Sequence, residues 1–113
     1  MAMDRCETAT LNFVNKIRAS FGRAILNDLA KGHKLLAEGC PIVKSLQIFQ
    51  KHDSTYLDNT SIFVTDKGLF IWHEDAGKIN NLIPITEVVF PPQVVHFVKE
   101  FDRGTKYDHL VQR

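Results

Sequence analysis

The sequence predicts an α+β domain: an antiparallel sheet of about four to five strands, covered by a long N-terminal helix or helix pair and by a C-terminal helix. Three observations predict it. The stretch from Ser61 to His73 reads as two short apolar strands joined by a tight turn. Leu11, Val14, Ile17, Phe21, Ile25 and Leu29 recur at three- and four-residue steps, the spacing of one stripe on a helix. Val94, Phe97, Val98 and Phe101 repeat as i, i+3, i+4 and i+7, directly after Pro91 and Pro92, which suit the first positions of a helix.

The N-terminal helical segment is placed at residues 5–38. Asp4 followed by Glu7 resembles a capping box, with aspartate in the place of serine or threonine, and Thr8 and Thr10 are alternative starts. Gly32 is the expected stop, because glycine tolerates the left-handed conformation that ends helices. Gly22 falls inside the stripe and costs about 1 kcal/mol against alanine, which marks Ser20–Gly22 as a point of breakage or kinking. His33 to Gly39 reads either as a short second helix or as a connection, closed off by Pro41.

The β region spans residues 42–90. Ile42 to Gln50 alternates with apolar residues on both sides, the pattern of a strand covered on both faces. His52 to Thr55 and Asp58-Asn59 are turn-like. In the central hairpin, Asp66-Lys67-Gly68 fits a three-residue loop with Gly68 left-handed. Thr65 then faces Leu69, Val64 faces Phe70, Phe63 faces Ile71 and Ile62 faces Trp72, cross-strand pairs worth roughly 0.2–1 kcal/mol each. A second turn at His73 to Lys78 leads to a strand from Ile79 to Phe90. Proline has no N–H for the ladder, so Pro84 demands an edge strand or a bulge. The C-terminal helix covers residues 92–103, stops at Gly104, and is followed by a tail, 104–113. Tyr107, Leu110 and Val111 there form one more turn or a docked segment. Without repeats, low-complexity stretches or linkers, residues 1–113 read as a single domain.

Composition bounds the function. The 113 residues are 44% hydrophobic and 24% charged, which is ordinary globular usage. A chain of this length buries roughly two thirds of its unfolded surface and needs no metal or disulfide to fold. A net charge of +1 gives no support to a polyanion partner from the total alone. The charge is uneven, however. Lys16, Arg18, Arg23, Lys31 and Lys34 are opposed only by Asp28 between residues 16 and 34. These five are the candidate macromolecule-binding residues. Cys6 and Cys40 form no C-x-x-C or zinc spacing. The N-terminus lacks an apolar run, and no stretch approaches the length of a membrane span. A cytoplasmic protein with free thiols is therefore expected, and the sequon at Asn59-Thr60-Ser61 is taken as chance.

No established catalytic motif is present. His96 and Glu100 are four apart on a helix, but two ligands are not a metal site, and nothing fixes a third from His73, Glu74, Asp75 or His109. His73-Glu74-Asp75 reads as a solvated turn, where the tuned pKa values of catalysis are rare. Cys40 sits in a connection with no paired base, and Cys6 lies near a helix start, where anions are favoured. Phe63, Phe70 and Trp72 are of the type that stacks bases, but acidic residues flank them and core packing is the better account. No catalytic residue, metal or cofactor is expected.

The stretches Ile62 to Trp72 and Ile83 to Val89, followed by a helix, resemble part of a pleckstrin-homology-like or GRAM-type domain. Such domains carry a strand, a Thr-Asp/Asn-Lys turn, another apolar strand and then an isoleucine-proline strand. The resemblance covers under half of the chain. The sequence departs from it in counting about five strands rather than seven, in its long leading helical segment, and in Gly68, which stands where a basic residue often follows the lysine and counts against a phosphoinositide ligand.

The function favoured by these observations is that of a small non-enzymatic cytoplasmic protein acting through protein–protein binding, as a regulator or inhibitor. The alternatives are a nucleic-acid-associated regulator using the basic N-terminal helix, and a small hydrolase or metal enzyme using His and carboxylate groups. The sequence does not fix the oligomeric state and is compatible with a homodimer.

Overall fold

The computed structural model describes residues 3–20, 22–36, 39–47, 60–65, 67–74 and 82–112, with residues 60–63, 70–74 and 82–87 as backbone. In chain order these hold helix α1 (Arg5–Ser20), helix α2 (Pro41–Gln47), strands β1 (Thr60–Val64), β2 (Gly68–Glu74) and β3 (Leu82–Val89), helix α3 (Pro92–Arg103) and a 3-10 turn at Asp108–Leu110. The strands form one antiparallel sheet in the order β1-β2-β3. The domain is thus a small mixture of helix and strand. Helix α1 packs on α3 and on α2, and α2 reaches β1.

Helix α1 starts where its cap predicts. Asp4 Oδ1 accepts the Glu7 N–H at 2.8 Å, satisfying one of the donors that a helix start leaves open. The helix ends much earlier than Gly32, which corrects the expected stop. Gly22 has φ 74°, its N–H donates to Ala19 O, and the Arg23 N–H reaches back to Arg18 O at 2.8 Å. This is a Schellman cap with glycine in the left-handed position. The buried stripe accordingly runs Glu7, Thr10, Leu11, Val14, Ile17, Arg18. Beyond the cap, Leu29 is buried, but Ile25 is 66% exposed and is not part of a helical stripe. Phe21 lies outside the described residues.

The expected sheet of four to five strands is corrected to three among the described residues. Residues 42–47, read as a strand, are helical. Pro41 opens α2, where its fixed φ and missing N–H suit a first turn. Ile42, Val43 and Leu46 are completely buried. A short run that is apolar on both sides of a strand is equally apolar around a buried helix, so alternation alone cannot separate the two. Residues 48–50 and 79–81 lie outside the described residues.

The hairpin exists, with its register moved by one: Val64 pairs with Leu69, Phe63 with Phe70 and Ile62 with Ile71. Thr65 closes the turn. Its N–H donates to Gly68 O at 2.8 Å, and its hydroxyl accepts the N–H groups of Lys67 and Gly68 at 3.2 Å each. Gly68 belongs to β2 and is not left-handed, a second correction. Its need for glycine is steric, since a Cβ there would stand 2.3 Å from Val88 O on β3. Pro84 pairs with Trp72 beside a register shift on the edge strand β3, where its missing donor costs nothing.

The core is built from α1, α2 and α3 against the sheet's turn end. Val14, Ile42, Val43, Leu46, Leu69, Val94 and Phe97 have no exposed surface. Phe97 stacks with Phe101 at 6.2 Å between centroids and meets Tyr107 at 4.6 Å, while Phe13 meets Phe90 edge-on at 5.4 Å. A cation enters this core. Arg18 is fully buried; its Nε donates to Ala24 O at 2.7 Å and its Nη1 to Ser45 O at 2.8 Å. It therefore joins the end of α1, the chain beyond Gly22 and the last turn of α2.

Two stability measurements check this account. Arg18→Met keeps bulk but removes the donors, and should lower the unfolding free energy by about 2 kcal/mol or more, because each buried acceptor left unsatisfied costs roughly 1–3 kcal/mol. Gly68→Val should cost about 1–3 kcal/mol by overpacking against β3. Urea midpoints equal to the wild type's would refute either one.

Candidate functional site

The feature that stands apart from the packed core is a tight turn at residues 33–36. The His33 N–H donates to Gly39 O at 2.6 Å and the Gly39 N–H to Leu36 O at 3.1 Å. Between them Leu35 has φ 60°, a left-handed conformation that branched or bulky side chains rarely adopt. The turn is tied to the end of α3 by two side chains. Asp102 Oδ1 accepts the Leu35 N–H at 3.0 Å. The Lys34 ammonium donates to Gly104 O at 2.6 Å and pairs with Asp108 at 3.0 Å. So held, Leu35 is 72% exposed and Leu36 56%.

These two leucines flank a groove of about 450 Å³. Its buried apolar lining comes from Cys40, Val64 and Val98, and its polar edge includes Lys99 and Arg103 of α3. Cys40 is chemically quiet. Burial, the largest influence, pushes its thiol up to about 12, helped by the negative Asp102 and opposed by the Ile42 and Val43 N–H groups. A thiol so far above neutral pH carries almost no thiolate and is a poor nucleophile.

A second concavity, about 600 Å³, lies where the start of α1 meets the C-terminal segment. It is polar. Glu7, buried on α1, accepts from or pairs with His109 Nε2 at 2.9 Å. The Tyr107 hydroxyl donates to Asp4 at 2.8 Å, and Lys106 approaches the same carboxylate at 3.4 Å. Burial pushes the Asp4 carboxyl upward, but the Glu7 N–H, the Tyr107 hydroxyl and the Lys106 ammonium together outweigh it and hold the group below its ordinary range. Burial, then the neighbouring Asp4 carboxylate, raise the Tyr107 phenol. A carboxylate–imidazole pair orients a histidine for proton transfer. Here the adjacent hydroxyl is held protonated by Asp4, so it is no nucleophile. The arrangement clamps the C-terminal segment instead, beside the backbone bonds Gly32 N–H to Leu110 O and Gln112 N–H to Gly32 O, each 2.8 Å.

The five residues singled out in the sequence do not form one face. Lys16 is exposed on α1 and Lys31 is exposed beyond it. Lys34 is half-buried and engaged with Asp108. Arg18 and Arg23 are buried, which removes both from an exposed binding surface: α1 turns Arg18 inward and ends before Arg23. His96 is exposed and Glu100 half-buried. The side chains of Phe63, Phe70, Trp72, His73 and Glu74, and all of Asp75, lie outside the described residues. Among the described residues no group of three or more His, Cys, Asp or Glu is placed to hold a metal, and no helix is long and apolar enough to cross a membrane. Both thiols are free. The leucine turn was not foreseen. Its only sequence signal is the pair Leu35-Leu36 falling outside any completed stripe.

Comparison with protein-family models, curated proteins and solved structures finds no match for the chain.

The polar clamp makes stability pH-dependent in two directions. A carboxyl lowered on folding stabilises above its unfolded value of 3.8, and that contribution is lost as pH falls below it. A phenol raised on folding stabilises below its unfolded value of 10.0, and that contribution is lost as pH rises above it. Asp4→Asn should flatten the acid limb of a stability–pH curve and Tyr107→Phe the alkaline limb, and unchanged limbs would count against the clamp. Iodoacetamide on the folded protein should label half-buried Cys6 before buried Cys40, as peptide mass mapping would show; equal labelling would mean that the groove is open to its floor.

Proposed function

We propose that the chain acts by binding another protein, without chemistry of its own, through the face formed by the 33–36 turn and the end of α3. One observation carries this reading. Leu35 is held in a left-handed conformation with its side chain in solvent. Single exposed leucines are common on protein surfaces. A leucine kept exposed at the expense of backbone strain is not, because such strain persists only where the surroundings over-determine it. Here Asp102 and Lys34 do so by anchoring the turn on both sides of Leu35. The adjoining groove, apolar at Cys40, Val64 and Val98, supplies the complementary surface. As a binding protein it fits the role of a small regulator or inhibitor.

Two measurements test the reading. Leu35→Gly should leave stability unchanged or raise it by up to about 1.5 kcal/mol. Relief of left-handed strain, about 1–2 kcal/mol, offsets the entropy that glycine loses on folding, roughly 0.5–1 kcal/mol. In the full chain within its own host, a photo-crosslinking residue at position 36 should yield a covalent protein adduct that disappears when Leu35 becomes aspartate. An adduct indifferent to that change, or adducts arising equally from exposed Asn12 on α1, would defeat the proposal.

A further inference from the structure

We infer that the segment received by this groove is acidic and carries an apolar anchor: one or two leucine-like side chains of a partner protein flanked by carboxylates. The inference rests on the groove being the binding face, and it adds the chemistry of the occupant.

The charge at the edge decides it. Lys99 and Arg103 are four residues apart on α3, so they project from one face. Both are exposed and both border the groove. Neither has an ion-pair partner among the described residues. The third charged residue that borders the groove, and the lysine of the adjoining turn, are already engaged. Asp102 accepts the Leu35 N–H, and Lys34 is paired with Asp108. With Asp102 counted, the edge keeps a net positive charge. The lining inside that edge is apolar at Cys40, Val64 and Val98 between Leu35 and Leu36, and its one hydroxyl, Thr65, is engaged in the hairpin turn with Lys67 and Gly68. An occupant that satisfies both zones presents an apolar group inward and carboxylates toward α3. Arg103 suits the second task, because its guanidinium grips a carboxylate with two parallel hydrogen bonds. A basic segment of the same shape would set like charges against Lys99 and Arg103, which penalises the wrong partner.

The test is a titration of the ¹⁵N-labelled full chain with three synthetic nine-residue peptides: two leucines flanked by glutamates, the same with lysines for the glutamates, and the same with serines for the leucines. The glutamate–leucine peptide should shift the amides of Leu35, Leu36, Val64, Lys99 and Arg103. It should bind at least about tenfold more tightly than the lysine version, a ratio worth 1.4 kcal/mol, and the preference should vanish in the Lys99→Glu, Arg103→Glu double variant. Equal binding of the acidic and basic peptides at the groove would overturn the charge inference and leave the docking face standing. Binding by the serine peptide would overturn the apolar anchor. No shift at the groove with any peptide at millimolar concentration would overturn this inference and the binding face together. Shifts at the same amides that grow with protein concentration alone would assign the groove to a second copy of the chain and overturn it too.

Discussion

The buried guanidinium of Arg18 is the constraint on which the rest of the fold depends. Taking a cation out of water costs several kcal/mol even after relaxation, so this one persists only because its surroundings replace the lost solvent. They do so with main-chain carbonyls: Ala24 just past the end of α1, and Ser45 at the close of α2. The carbonyls at a helix C-terminus carry partial negative charge and favour a cation. Helix α2 has seven residues, too few to hold itself together in water. It exists because Ile42, Val43 and Leu46 are buried and because Arg18 binds its last turn. Two further contacts fix the same junction. Asn15 exchanges both its amide groups with the Leu26 backbone at 2.8 Å, and the Ser45 hydroxyl accepts the Ala30 N–H at 2.8 Å. The segment from Gly22 to Ala30 has no regular structure, yet Ala24 O, both backbone groups of Leu26 and the Ala30 N–H are answered by side chains of α1 and α2.

The leucine turn inherits its position from this junction at one end and from the C-terminal segment at the other. Gly32 lies between Leu110 and Gln112 in a short parallel bridge with Val111. The C-terminal segment is in turn fastened to the start of α1 by Tyr107 on Asp4 and His109 on Glu7. The chain's two ends are therefore joined through contacts separated by about a hundred residues. Loosening the clamp on α1 would loosen the anchor of Lys34 on Gly104 and Asp108, and with it the turn that presents Leu35. Fold and candidate site are coupled by that route, not by proximity.

Much of the outline was legible in the sequence. The i, i+3, i+4, i+7 pattern of Val94, Phe97, Val98 and Phe101 is the buried face of α3. The Asp4 cap and the presence of the hairpin follow from local chemistry, which a sequence records directly. The failures have physical causes. The turn hydroxyl of Thr65 took the place assigned to a left-handed Gly68, and that moved the register by one residue. Apolar spacing continued past Gly22 by coincidence, so a stripe was read through a Schellman cap, and Ile25 fell on the surface. Arg18 looked like a surface charge because its partners are backbone carbonyls, which have no signature in sequence. The strain at Leu35 is likewise a tertiary product. It is imposed by Asp102, sixty-seven residues away, and nothing in the local sequence announces it.

The groove and the cleft at the start of α1 differ in what they leave unsatisfied, and that difference decides between them. In the cleft Asp4 and Tyr107, and Glu7 and His109, answer one another, so a polar ligand entering there would have to break good hydrogen bonds to make its own, with little net gain. In the groove the exposed parts of Leu35 and Leu36 remain in water, and the charges of Lys99 and Arg103 have no counterpart among the described residues. Fully burying a leucine is worth about 1.5–3 kcal/mol. Two partly exposed leucines therefore supply a few kcal/mol, against an association cost of roughly 4–15 kcal/mol. The groove alone cannot support a tight complex. It suits an anchor in a larger contact, or a transient one below roughly 1,200 Å², in which charge attraction speeds the encounter and the leucine turn, already fixed in its bound shape, loses little entropy on docking. A strained, rigidly anchored turn is what such an arrangement requires, since a flexible one would surrender that gain in becoming ordered.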